Sequence, residues 1–249
     1  MRRWTSILLG LALGALTQPF PAVAREGKII AIDPGHGGPE PGAVAGDLVE
    51  RDVNLGIALD VGELLREEGF GVVFTRSTTE AVNPDYVRAP DRPQQRRDLQ
   101  MRVEIANAAR AQLFLSIHNN GSPNPAERGT EIWYDASRPF SDRNLLLAEL
   151  ALDGIVNRLR AAGYDGHDRG VRDDARFKVF RGRAFPLFVL GPGNTSFRSY
   201  EPSGMPGILG ESLFLTNAGD AAALRRSATL HAIALGYRDA VVDYFRQVG

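Results

Sequence analysis

The chain has 249 residues, 29 of them Lys or Arg and 30 Asp or Glu, for a formal charge of −1. Hydrophobic residues make up 43% and charged ones 24%, the balance of a soluble globular domain, which excludes a disordered tail, a collagen-like chain and a polybasic nucleic-acid binder. There is no cysteine, so neither a disulfide framework nor a thiolate metal site can form, and any metal must be held by histidine nitrogen and carboxylate oxygen.

The first residues have the layout of a secretory signal peptide. Arg2 and Arg3 form a basic start, Ile7–Leu16 is an apolar run of 10 residues, and Ala22-Val23-Ala24 is an A-x-A cleavage site. A membrane span needs about 20 apolar residues, so this run is too short. Loss of residues 1–24 removes two arginines and no acid, taking the charge from −1 to −3. No later stretch is long enough to cross a bilayer. The mature chain, residues 25–249, is therefore expected to be exported to the periplasm, the cell wall or the extracellular space, without a membrane span after cleavage.

From Lys28 onward, strand-like and helix-like segments alternate. Lys28–Asp33 is short and apolar and runs into Pro34-Gly35, as a buried strand entering a loop does. Asp52 is placed to cap a helix over Val53–Glu68, with Val53, Ile57, Val61 and Leu64/Leu65 on one face and Gly69 at its end. Gly71–Thr75 reads as a strand and Gln94–Ala109 as a helix. Strands follow at Leu113–Ile117 and Gly129–Tyr134, a long helix at Asp142–Ala161, and a strand at Pro186–Leu190. A short apolar piece runs up to Gly210, and a last helix extends from about Asp220 to Arg246.

This alternation predicts a single α/β domain: a mostly parallel, twisted sheet of about six strands with helices on both faces. Two long loops, Ser77–Pro93 and Gly191–Pro206, exceed the usual connection length and are expected to be functional or mobile.

Four histidines narrow the search for chemistry. His36, in Asp33-Pro-Gly-His-Gly-Gly38, and His118, in Ser116-Ile-His-Asn-Asn120, each follow a predicted strand, and open α/β sheets bind ligands at the carboxyl ends of their strands. A catalytic zinc takes three protein ligands, so a carboxylate near the same edge should complete the set. Glu50, leading into the first helix, is better placed than Glu40 inside the Gly/Pro loop. His167 lies in a polar loop and is expected to be solvated. His231 falls on the apolar stripe of the last helix and is expected to be packed.

The glycine-rich segment is no phosphate loop. No lysine occurs between Lys28 and Lys178, and a dinucleotide fingerprint starting at Gly35 would need glycine where Glu40 stands. Its glycines serve instead to turn the backbone around a side chain that faces the ligand.

The motifs resemble those of the zinc-dependent N-acetylmuramoyl-L-alanine amidases of bacterial cell-wall metabolism. Ile32-Asp-Pro-Gly-His-Gly-Gly38 resembles the first zinc motif of that family, Val49-Glu-Arg-Asp-Val-Asn-Leu55 the second and Leu113-Phe-Leu-Ser-Ile-His118 the third. Gly207–Asn217 resembles the segment that carries the catalytic glutamate. Thr75-Arg76, Leu99, Arg102, Ala106-Asn107 and Arg169-Gly-Val171 also fit. The match runs in order from Lys28 to the C-terminus. It departs at an additional Gly/Pro/Ser-rich stretch, about Phe185–Pro206, expected to border the cleft.

The resemblance implies one zinc ion held by His36, Glu50 and His118, with Glu211 as general base. It implies a peptidoglycan hydrolase that cuts the amide between the lactyl group of N-acetylmuramic acid and L-alanine. The resemblance leaves the identity of any activating protein unknown. Asn120 is a possible substrate donor or a turn cap, and Asp33 either orients the His36 loop or caps it. Glu131 reads as structural. The competing readings are another zinc hydrolase of wall polymers, a peptidase or deacetylase, and a silent peptidoglycan-binding regulator.

Overall fold

The computed structural model describes residues 27–176, 179–180, 183–184, 186–191 and 200–249. The expected signal peptide lies outside them, as do residues 192–199 of the additional stretch. Strand β1 (Ile29–Pro34) leads through a loop to a small hairpin, β2 (Val44–Ala45) and β3 (Leu48–Val49), and straight into α1 (Glu50–Glu67). Next come β4 (Gly71–Phe74), α2 (Pro84–Arg88), α3 (Arg92–Ala108), β5 (Leu113–Asn120), β6 (Thr130–Tyr134) and α4 (Ser141–Ala161). Strand β7 (Asp168–Asp173) precedes a second small hairpin, β8 (Val179–Phe180) and β9 (Arg183–Ala184). The chain closes with β10 (Gly207–Phe214), α5 (Ala218–Leu224) and α6 (Ser227–Val248). No described helix is long and apolar enough to cross a membrane.

The main sheet has the order β4-β1-β5-β10-β6-β7. Every pairing is parallel except β10 with β6, so the expected mostly parallel six-stranded α/β domain is what forms. Its central strands are nearly continuous apolar runs because both faces are covered. Alternation sorts their side chains. Ile30, Ile32, Leu113, Leu115, Ile117 and Ile208 pack towards α1, α4 and α6. Ala31, Phe114, Leu209 and Trp133 pack towards α3. Helices α4 and α6 cross so closely at Gly154 and Gly236 that a Cβ on Gly154 would stand 2.6 Å from the Gly236 carbonyl oxygen.

Several expected elements differ. Helix α1 starts three residues early, because Val49 is still paired with Val44 and the chain turns directly from hairpin into helix. Val49 is the N-cap residue without a side-chain bond, and Asp52 is not a cap but binds Arg51 at 3.2 Å. The end behaves as expected, with Gly69 at φ 88° just past the cap. Pro186–Leu190 is no strand: the Leu187 amide is taken by Asp174 and the Leu190 amide by the Leu187 carbonyl. The outer place beside β6 belongs instead to the polar β7. The last helix divides at Arg225-Arg226, where Arg226 is extended (φ −94°, ψ 122°), and Asn217 caps the first piece.

Candidate active site

The alternation that builds the core also builds the site. In β5, Phe114, Ser116 and His118 share the α3-side face; in β10, Leu209 and Glu211 do; in β6, Glu131 and Trp133 do. Glu211 is the register partner of His118 on one side and of Glu131 on the other. His118, Glu211 and Glu131 therefore form a row across three neighbouring strands, at the carboxyl end of the parallel ones. Both β5 and β10 run further than the sequence reading expected, so His118 and Glu211 stand on strands rather than in loops.

His36 reaches the row from the loop after β1, with its backbone at φ 65°, a left-handed conformation that a non-glycine residue holds only when its surroundings impose it. Two arginines impose it. Arg102 Nη2 donates to the His36 carbonyl at 2.6 Å and its Nη1 to the Pro34 carbonyl at 2.8 Å. Arg76 donates to the carbonyls of Pro34 (2.9 Å) and Gly35 (2.7 Å). Gly35 has no side chain because the His118 ring occupies the place of its Cβ. Arg102 is itself held by Asp33 at 2.9 Å and Asp98 at 2.8 Å. Asp33 also accepts from Thr75 (2.5 Å) and Ser116 (2.7 Å). Burial, the largest single influence, would raise the Asp33 pKa, but Arg102 together with the hydrogen bonds from Thr75 and Ser116 outweighs it and holds the carboxyl below its usual value. Asp33 thus orients the His36 loop, acting through Arg102. The sequence flagged both arginines without giving them this role.

Glu50 opens α1 and points back to the sheet. Its Oε1 lies 2.8 Å from His36 Nε2 and 3.1 Å from His118 Nδ1. Asn54 Nδ2 donates to the same oxygen at 3.2 Å, and Oε2 accepts the Ala43 amide at 2.8 Å. One ligand atom from each of His36, Glu50 and His118 lies within 4.8 Å of the others. Ligands ~2.1 Å from a tetrahedral zinc stand about 3.4 Å apart, so the donor set fits such an ion in size and chemistry. Burial would raise the Glu50 pKa, yet the two imidazoles hold it far below the carboxylate range. His118 is pushed below its usual pKa, first by burial, which keeps a lone pair free for a metal. Burial would also lower His36, but Glu40 and Glu50 outweigh it and hold that imidazole up to about 10. Glu40, rejected as a ligand, binds His36 Nδ1 on the side away from Glu50, the place of a carboxylate that orients a ligating imidazole.

Glu211 is buried, and its Oε2 has no hydrogen-bond partner. Burial first, and then Glu50, pushes its pKa well above the usual value. Glu131 is neutralised by Arg169 at 2.7 Å and Arg172 at 3.3 Å. Asn120 Nδ2 donates to Glu131 at 3.0 Å, and the Asn120 side-chain oxygen accepts the Gly121 amide. Asn120 is thus fixed at the rim of the groove described next, with its amide nitrogen engaged by protein. The structural reading of Glu131 holds, with the addition that it fixes Asn120. His167 is exposed, as expected. His231 is not packed: it is exposed and pairs with Asp60 at 2.8 Å, because it falls at the margin of the α6 stripe.

Two hollows meet at this centre. An open groove of about 530 Å³ is lined by Val44, Asn120, Pro123, Glu211 and Thr216 among others. A narrower hollow of about 210 Å³ is lined by Tyr86, Gln95, Leu99, Phe188 and Val189. His36, Glu40, His118, Leu187 and Leu209 border both. The described part of the additional stretch therefore does border the cleft.

Residues 30–243 match the N-acetylmuramoyl-L-alanine amidase family. The chain belongs to that family. Its sequence is 30% identical to the amidase LytC of Bacillus subtilis over 220 residues, covering 88% of this chain and 36% of that one. It is 34% identical to the germination-specific amidase of the same organism over 142 residues, covering 53% of this chain and 60% of that one. The chain thus spans less than two thirds of both relatives. Among solved structures, the amidase AmiC2 of Nostoc punctiforme is 29% identical with a TM-score of 0.64, covering 88% of this chain and 97% of that one. This chain and that amidase thus share one fold over most of their lengths.

Proposed function

We propose that this amidase hydrolyses peptidoglycan at the amide joining the lactyl group of N-acetylmuramic acid to L-alanine, with one zinc ion held by His36, Glu50 and His118. The observation that carries the reading is the row of Glu211 beside His118, with a buried, unpartnered carboxylate oxygen next to three gathered metal donors.

A zinc ion bound there supplies a Lewis acid that activates water and polarises the scissile carbonyl. The rest is the chain's own work. Glu50 remains anionic and is the one donor of the three that brings a negative charge. Glu40 holds the His36 ring through Nδ1. Glu211 accepts the proton of the attacking water and delivers it to the departing L-alanine nitrogen, a general acid–base role worth about 10²–10⁴-fold. Its raised pKa suits the second half of that task. A cation among the donors opposes the repulsion from Glu50 and favours the ionised form needed for the first half. Leu187 and Leu209 keep the space between the hollows apolar.

Export through the signal peptide of residues 1–24 belongs to the same reading and predicts a mature N-terminus at Arg25. Mass spectrometry of digested peptidoglycan, with and without a chelator, tests the activity. Free stem peptides beginning with L-alanine, lost on chelation, support it. Cleaved cross-links or lost acetyl groups would assign another hydrolase, and an unaltered polymer would assign a silent binder.

A further inference from the structure

The scissile amide has a glycan side and a peptide side, and two hollows meet at the centre. Beyond the narrower one lies a third cavity, about 590 Å³, lined by Arg92, Arg96, Arg97, Gln100, Glu104 and Tyr200 among others. Two features join these cavities. Arg92, Arg96 and Leu99 follow one another at i, i+4 and i+7 on α3, so the guanidiniums continue the stripe that lines the hollow. Phe188, in the wall of the hollow, makes an edge contact with Tyr200, in the wall of the third cavity, at 5.0 Å between ring centres.

The charges are unevenly spoken for. Arg97 is paired with Glu104 at 2.6 Å, and Glu201, which also lines the cavity, accepts from the Asn107 amide at 2.8 Å and keeps its charge, so three arginines against two glutamates leave the lining net positive. Arg102 is buried between Asp33 and Asp98. Arg92 and Arg96 are exposed and make no ion pair among the described residues. Two cations without an ion-pair partner among the described residues, in a protein of net negative charge and next along α3 to the hollow that borders the metal donors, form a site for a carboxylate-bearing ligand.

Resting on the amidase reading, we infer that the stem peptide leaves the centre through the narrower hollow, past Gln95 and Leu99, and that Arg92 and Arg96 bind its carboxylates. The open groove by Asn120 and Thr216 then receives the glycan. A wall stem peptide is acidic at its glutamyl residue and at its free end, whereas the glycan backbone offers no such charge. The apolar walls of the hollow, Leu187 and Leu99, suit the alanine methyl next to the cut bond.

The test uses the zinc-loaded protein and its Arg92→Gln/Arg96→Gln variant, both changes lying on an exposed helix face. Calorimetry measures binding of the free acidic stem tetrapeptide and of the same peptide with its carboxylates amidated; kinetics use a muramoyl-peptide. The expected result is a preference of about fivefold to tenfold for the acidic peptide in the parent, absent in the variant. KM for the muramoyl-peptide should rise by the same factor while kcat changes by less than about twofold. Equal binding of both peptides by the parent, or a preference kept by the variant, would overturn the assignment. A parent that prefers the acidic peptide but cuts no muramoyl amide would instead overturn the amidase reading and leave the arginine site standing.

Discussion

Glu211 and His118 are register partners on adjacent parallel strands. The proposed general base thus stands one strand spacing, about 4.8 Å along the ladder, from a proposed metal donor, and backbone hydrogen bonds rather than loops set that separation. Both residues lie on the α3-side face because both follow the alternation of the apolar residues before them. Removing the base should therefore leave the donors in place. Glu211→Gln is expected to bind one zinc ion per chain like the parent and to lose about 10²–10⁴-fold in kcat. Loss of zinc along with activity would mean that Glu211 is a donor, and retained turnover that the base is elsewhere.

Glu40 and the three donors should separate in the same assay. His36→Ala or His118→Ala is expected to abolish stoichiometric zinc. Glu40→Gln should keep the site but weaken zinc affinity by about 10–100-fold, because the His36 ring loses its charged partner at Nδ1. Unchanged affinity in the Glu40 variant would show that Arg102 and Arg76 alone orient the loop.

The Asp33–Arg102 pair is buried on both sides, with side-chain exposures of 1% and 2%. Arg102→Met strands the Asp33 carboxylate and frees the His36 carbonyl, so a loss of about 3–5 kcal/mol in unfolding free energy is expected. Asp33 is held below the ordinary aspartate value of 3.8. Its contribution is complete above that pH and fades as pH falls through its lowered folded value. Urea unfolding at pH 7 and pH 3 should show a smaller cost of the substitution at pH 3; the same cost at both would contradict the assignment.

Asp174 shifts the other way. It is fully buried, its Oδ1 lacks a partner, and burial first, then Asp135, pushes its pKa up to about 7. The folded chain therefore holds this proton more tightly than the unfolded chain, and stability falls as pH rises from about 4 through 7. Asp174→Asn keeps an acceptor for the Leu187 amide without the charge. It should raise Tm by ~2–4 °C at pH 8 and give no gain at pH 4. A shift independent of pH would refute the buried charge as its cause.

Much of this was legible in the sequence, for identifiable reasons. The apolar runs ending at Asp33 and Ile117 gave the buried parallel strands, and His36 and His118 just beyond them gave two of the proposed donors. Pro186–Leu190 misled because an apolar run under a turn packs the same core cluster as a strand would. The run β7 was missed because an outer strand with Arg169 and Arg172 facing Glu131 carries no apolar pattern. His231 misled because helical spacing cannot tell the centre of a stripe from its edge. The roles of Arg76 and Arg102 lie in bonds to backbone carbonyls, which no spacing rule encodes, and Glu40 was judged by its loop rather than by the free Nδ1 of His36.

The central claim concerns one bond and one nucleophile, so it is tested most directly by digesting peptidoglycan in ¹⁸O-labelled water with the zinc-loaded protein. The label should enter the lactyl carboxylate of N-acetylmuramic acid, one atom per cut, as L-alanine amino termini appear in equal number. Label in a peptide carboxylate or in released acetate would contradict it.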